Sequence, residues 1–222
     1  MNKTILAAAL SLAAMGSASA AGTVLNIEYK GTVGEAITTV LDGAASQDYL
    51  TGGMQYQISG GASFEAFCVE LAQSHSLSGV QSYTVGSFSG AQSRQLQGLF
   101  STSYSRLSSD QDRAAFQTAV WEITHETPGS RLDVSQGVFQ FGYLNDNSTP
   151  QQDSDFLNKV NGFLLAADRY EGPAKYKLTK LENSVYQDLV TVSAVPEPGT
   201  YAMLLAGLGA VGFVARRRQR RG

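Results

Sequence analysis

Between residues 23 and 30 apolar and polar positions alternate. Val24, Asn26 and Glu28 fall on one side of an extended segment and Leu25, Ile27 and Tyr29 on the other, which predicts a first strand. Short apolar runs separated by glycines predict further strands at 55–59, 63–71 and 82–88. From residue 91 the period changes to that of a helix. Leu96, Leu99 and Phe100 share one face; Phe116, Ala119, Val120 and Ile123 share another, in a helix capped by Asp110 and running to about residue 124. Phe156, Val160, Phe163, Leu164 and Ala167 form a third set, with Asp153 and Ser154 as cap candidates. Residues 127–152, rich in Gly, Ser, Asn and Gln, read as a long loop or irregular hairpin. After Gly172-Pro173 strand-like runs return at 176–181 and 185–192. This order predicts an α+β fold, a β-sandwich or barrel-like β domain interrupted by a helical insert.

Both ends of the chain depart from that pattern. Lys3, the apolar run from Ile5 to Met15 and the small residues Ala18-Ser19-Ala20 have the three-part form of a secretory signal peptide, which implies cleavage after Ala20 by signal peptidase. At the other end Pro196 and Pro198 cannot continue a strand or helix interior, so the folded domain finishes near Ala194. Residues 201–215 are apolar and uncharged, and Arg216, Arg217, Arg218, Arg220 and Arg221 follow on what the positive-inside tendency makes the cytoplasmic side. About 15 residues give roughly 22 Å of helix against a hydrocarbon core of about 30 Å. The expected transmembrane helix is short, and with snorkelling arginine stems it suits a transient anchor. The organisation read from the chain is therefore a signal peptide over 1–20, one domain over 21–194 and a tail over 195–222.

Removing the ends changes the charge. Six of the 16 Lys and Arg and one of the 19 Asp and Glu lie in them, which leaves 10 basic against 18 acidic groups, a net charge of −8 rather than −3. An acidic domain argues against nucleic acid or an anionic membrane surface as its main partner, because both require basic patches. Polysaccharide and protein remain.

Cys68 is the only cysteine, so the chain has no intramolecular disulfide. A lone thiol in an exported domain is either a small buried hydrophobe or a reactive group. His75 and His125 are the only histidines, and no motif announces the oxyanion hole that a Cys-His protease needs. One Cys and two separated His lack the paired spacing of a zinc site, and the pairs Asp110/Asp112 and Asp153/Asp155 begin no calcium loop. Neither a metal nor an organic cofactor is expected. Asn147-Ser148-Thr149 fits a glycosylation triplet in a polar loop, where it is expected to be coincidental.

Two resemblances extend these readings. Val195-Pro-Glu-Pro-Gly-Thr200, the apolar run and the arginine cluster together resemble the PEP-CTERM sorting signal of Gram-negative bacteria, with Pro196, Glu197 and Pro198 as the sorting motif and Arg216, Arg217 and Arg218 as the membrane stop. The resemblance implies processing by the membrane protease-transpeptidase exosortase and delivery to the cell surface or extracellular matrix. The second resemblance rests on three segments: Phe67-Cys68-Val69-Glu70, Phe116-Gln117-Thr118-Ala119-Val120-Trp121 and Tyr186-Gln187-Asp188-Leu189-Val190. In that order they are similar to the signatures of the bacterial thioester domains of surface adhesins, except that Phe116 stands where the family usually has threonine. The resemblance implies an internal thioester between Cys68 and Gln187, brought together by adjacent strands, with Gln117 and Ala119 on a supporting helix and Trp121 packed against the site as a shield from water. The expected function is that of a covalent adhesin that acylates an amine on a partner once, rather than a turnover enzyme. The residues alone leave other readings open: an inert core cysteine, Gln187 facing solvent, Trp121 as plain core, and a non-covalent structural or carbohydrate-binding matrix protein using exposed tyrosines.

Overall fold

The alternation that begins at Val24 continues well past Lys30: strand β1 spans Val24–Leu41, 18 residues. The computed structural model describes residues 22–195 and 207–208. The expected signal peptide, the sorting motif Pro196, Glu197 and Pro198, the apolar run apart from Gly207 and Leu208, and Arg216, Arg217 and Arg218 lie outside the described residues. Among the described residues no helix is long and apolar enough to cross a membrane.

Glycines that read as strand breakers are part of β1. The register slips between Tyr29 and Gly31, where Gly31 takes a φ of 144°, so the strand bends at a bulge rather than ending. Gly34 lies opposite Gly52 of strand β2 (Gln47–Ile58). A Cβ on Gly34 would collide with the Thr51 carbonyl and one on Gly52 with the Val33 carbonyl, so the two strands approach more closely there than side chains permit.

Strands β3 (Ser63–Cys68) and β4 (Val80–Gly86) follow, and the chain then leaves the sheet. The insert comprises helix α1 (Gly90–Ser103), a 3₁₀ turn at Tyr104–Arg106, helix α2 (Asp110–His125), strand β5 (Phe139–Tyr143) and helix α3 (Pro150–Asp168). Strands β6 (Tyr176–Glu182) and β7 (Leu189–Ala194) complete the domain. All pairings are antiparallel, in the order β2-β3-β7-β6-β4-β1-β5, and β2 also pairs with β1. The path β1-β2-β3-β7-β6-β4 thus returns to β1 and closes a six-stranded barrel, which leaves β5 as an extension on the far half of β1. Of the two sheet arrangements expected, the barrel is the one found.

Local chemistry sets the helix ends, with differences from the expected caps. Ser109 rather than Asp110 caps α2: its hydroxyl accepts from the Asp112 N–H, and the Asp112 carboxylate accepts from the Ser109 N–H. The carboxylate also holds Lys159 of α3 at 2.8 Å. Helix α3 starts earlier than its Asp153 and Ser154 suggested, with Thr149 and Gln152 as the capping box and Pro150 in the first turn. Asp153 accepts from the Leu144 N–H at 2.9 Å and so fastens the preceding loop. Strand β5 falls inside the stretch expected to be loop, because Phe139 and Phe141 are too few to signal a strand by themselves yet are both buried.

Helix α2 is the hinge pin between barrel and insert. It packs on β1, β2 and β3 on one side and on α1 and α3 on the other, so Ala114 through Ile123 are all buried. Phe67 of β3, Phe100 of α1 and Phe116 of α2 meet with ring centroids 4.8 to 6.0 Å apart. Burying each such ring stabilises by roughly 1.5–3 kcal/mol. This cluster fixes α2 against β3, and the face of α2 that carries Gln117 and Trp121 is fixed with it.

Candidate functional site

Cys68 is the last residue of β3 and lies opposite Leu189, the first residue of β7. The antiparallel pairing of these neighbours brings together residues 119 positions apart: the Cys68 Sγ is 2.8 Å from Oε1 of Gln187. The structure therefore joins the two residues that the sequence motifs had marked. Gln187 is not itself on a strand, as its motif suggested, but in the turn that leads into β7. That turn is held at several points. The Val69 N–H donates to the Asp188 carbonyl at 3.0 Å, the Gln187 N–H to the Ser74 carbonyl at 3.2 Å, and the Asp188 N–H to the Glu70 carboxylate at 3.3 Å. The Gln187 side-chain amide donates to the Glu70 carbonyl at 3.3 Å, which turns its oxygen toward the sulfur.

Gln117 grips the other residue. Its Oε1 accepts from the Cys68 N–H at 2.8 Å and its Nε2 donates to the Cys68 carbonyl at 2.7 Å, so one buried amide satisfies both backbone groups of the cysteine. Both groups need this partner because the ladder between β2 and β3 stops at Ala66, short of Cys68. Ala119 is fully buried in the same helix. Trp121 lies one turn beyond Gln117, packed against Tyr49 at 5.5 Å and Phe139 at 6.1 Å between ring centroids. Its indole N–H is buried and has no hydrogen-bond partner among the described residues.

Cys68, Gln117, Trp121 and Gln187 line one cleft of about 510 Å³, together with Tyr49, Leu50, Met54 and His75 among others. Met54 places its Sδ 3.0 Å from the Cys68 sulfur. The floor of the cleft is buried: Cys68 and Gln187 are each 5 % exposed and Trp121 2 %. Burial pushes the Cys68 thiol far above its ordinary value, and Glu70 adds to the effect, so the sulfur stays protonated and uncharged. Burial holds His75 below its ordinary 6.5, which leaves the imidazole neutral at pH 7. Burial likewise raises Tyr83 to about 12 and Tyr56 beyond that, and both phenol oxygens lack partners among the described residues.

A neutral thiol held against a carboxamide, with both side chains buried, is the ground state for acyl exchange between the two. Neither histidine makes a hydrogen bond to the Cys68 thiol. The His125 Nδ1–H donates to the Trp121 carbonyl, 3.0 Å away, and the ring lines a different cleft. His75 shares the Cys68 cleft but makes no hydrogen bond to the thiol.

Sequence reasoning had not reached Met54, nor the part played by Glu70. Glu70 follows Cys68 by two positions, inside the first motif, and its acidic side chain beside a thiol was the available signal. Met54 carries no signal, because an isolated methionine in a strand is ordinary core.

The chain is similar to the N-terminal domain of the Streptococcus pyogenes pilus tip adhesin Cpa, with a TM-score of 0.49 and 15% identity over 66% of this chain and 85% of that one. It is also similar to the N-terminal thioester domain of the fibronectin-binding protein SfbI from Streptococcus pyogenes, with a TM-score of 0.46 and 11% identity over 82% and 98% of the two chains. For the N-terminal thioester domain of a surface protein from Clostridium perfringens the values are 0.45 and 16%, over 78% and 100%. No curated protein matches the chain. The tail matches a family model directly, over residues 194–219. Behind its α+β barrel domain the chain carries a PEP-CTERM protein-sorting motif.

Proposed function

We propose that this chain is an exported protein of the cell surface or extracellular matrix of a Gram-negative bacterium, and that it acts as a covalent adhesin through an internal thioester between Cys68 and Gln187. The observation that carries the reading is the 2.8 Å approach of the Cys68 sulfur to the Gln187 carboxamide in a buried cleft. In the forming step the sulfur attacks the Gln187 Cδ, the C–S bond forms, the C–N bond breaks, and the nitrogen leaves as ammonia with the thiol proton. The atoms balance with no cofactor. In the second step an amine on the partner attacks the same carbon, an amide forms and the Cys68 thiol is released. Gln187 is then spent, so the protein bonds once and does not turn over. Signal peptidase and exosortase are the expected processing partners, and the C-terminal tail the transient membrane anchor.

Intact mass tests this. Folded protein should lie about 17 Da below the mass of its sequence, the mass of the ammonia expelled in the forming step. Cys68→Ala should abolish the difference, and methylamine should be recovered on Gln187 in peptide maps. Full unmodified mass with a titratable thiol in folded protein would sink the covalent reading, and an adduct on Gln117 would reverse the assigned roles of the two glutamines.

A further inference from the structure

The transfer step needs a proton acceptor. An amine that attacks the Gln187 carbonyl becomes cationic at nitrogen, and the adduct falls back to thioester unless that proton is removed. The ionisable residues lining the cleft are Asp48, Tyr49, Cys68 and His75. Cys68 is the leaving group. The Tyr49 phenol, kept protonated by burial, already donates to Gln47 at 2.9 Å, and Asp48 is occupied by the Thr38 hydroxyl at 2.5 Å. His75 has no hydrogen-bond partner among the described residues, and its ring rests on Tyr29 with centroids 4.6 Å apart.

Its backbone is anchored on both sides. The preceding residue, Ser74, accepts from the Gln187 N–H at 3.2 Å, which ties this loop to the acyl donor. The following residue, Ser76, donates to the Ser78 carbonyl at 2.8 Å and accepts from Gln81 at 3.2 Å. A half-buried imidazole with no hydrogen-bond partner among the described residues thus lines the cleft that Cys68 and Gln187 share, one residue from the Ser74 carbonyl that Gln187 holds.

We propose that His75 is the general base of acyl transfer: it takes the proton from the attacking amine as the C–N bond forms and delivers it to the Cys68 sulfur as the C–S bond breaks. This rests on the thioester reading above. The relay runs downhill, since burial leaves the imidazole neutral at pH 7 and makes the sulfur the stronger base of the two. Tyr29 of β1 packs on the His75 ring, and the other ionisable groups lining its cleft are Asp48 and Tyr49 from β2 and Cys68 from β3, while α2 contributes Gln117 and Trp121, which do not titrate.

The test uses the purified protein and the variants His75→Gln and His75→Asn, followed by mass spectrometry. Methylamine uptake should slow by about 100-fold at pH 8, the lower end of what a positioned base contributes. The ratio of wild-type to variant rates cancels the ionisation of methylamine. It should shrink toward one as pH falls through a midpoint below 6.5, where His75 becomes protonated. Ammonia expulsion is the same step reversed, so thioester formation slows too. A variant still at the unmodified mass should lose the 17 Da when free imidazole is added, and failure of that rescue overturns the proposal. Variants that react within about threefold of wild type, or that slow equally at every pH, also overturn it. Wild-type protein without the mass loss defeats the underlying thioester reading instead, and the two failures are told apart by that measurement.

Discussion

Gln117→Leu should separate the clamp on Cys68 from the chemistry it supports. The substitution keeps an apolar side chain of similar bulk at a position that is 1 % exposed, but removes both partners of the Cys68 backbone. Each buried group left unpaired costs about 1–3 kcal/mol, so the expected loss is about 2–6 kcal/mol, offset by a fraction for the apolar side chain buried instead. On the covalent reading a thioester would cross-link the unfolded chain and confound the measurement. The comparison therefore belongs in a Cys68→Ala background, which deletes the sulfur and keeps the backbone N–H and carbonyl. With a urea slope of about 2 kcal/mol per molar, a loss of about 3 kcal/mol moves the unfolding midpoint down by about 1.5 M. In the Cys68 protein the same change should also reduce the 17 Da loss, since Sγ is aimed by the backbone that Gln117 holds. A midpoint shift under about 0.5 M together with an undiminished mass loss would refute the clamp.

Other outcomes follow from the same neighbourhood. Glu122 is fully buried, with one carboxylate oxygen accepting from the Asp133 N–H at 2.7 Å and the other without a partner among the described residues, and burial pushes its pKa up to about 7 from 4.5. Because the folded value is the higher one, its contribution is most favourable below about pH 4.5 and is eroded as pH rises through about 7. Glu122→Gln should therefore raise stability by about 1–3 kcal/mol above pH 7 and change little near pH 4, checked by thermal melts at the two values. Trp121→Ala should cost about 3–5 kcal/mol and hasten hydrolysis of the thioester at least tenfold, read as conversion of Gln187 to glutamate in peptide maps. Trp121→Phe should keep the wall and most of the protection, because the indole N–H makes no hydrogen bond among the described residues; rapid hydrolysis in that variant would show that the N–H matters.

Much of the site was legible because its residues are chemically unusual for their places. A single cysteine in an exported chain, and glutamines within otherwise apolar segments, call for an explanation at the level of sequence. The helices were legible from period, since Phe116, Ala119, Val120 and Ile123 must share a face whatever they pack on. The extent of β1 was not. Gly31 and Gly34 signal a break locally, and only the opposing Gly52 and the bulge at Tyr29 show that they serve close strand approach. β5 was hidden for a similar reason: its pairing partner, Thr38–Leu41, is some hundred residues earlier, and five residues carry too little pattern to announce it. Barrel closure depends on β1 pairing with both β2 and β4, which no local pattern encodes. His75 was visible as a residue but not as a neighbour of Gln187, because the Ser74–Gln187 hydrogen bond that places it spans more than a hundred positions.

The position of Gln187 relative to the chain's exit has a mechanical meaning. β7 runs from Leu189 to Ala194, and the sorting motif begins at residue 194. On the covalent reading, tension between a partner bonded at Gln187 and an envelope holding the tail passes through only seven peptide steps, about 23 Å of extended backbone. The other five strands of the barrel and helices α1, α2 and α3 lie beside that tether rather than in series with it. A shear load would then strain one strand's covalent backbone, with no need for the fold to resist unfolding, and the domain could be thermodynamically modest yet grip as strongly as a peptide bond.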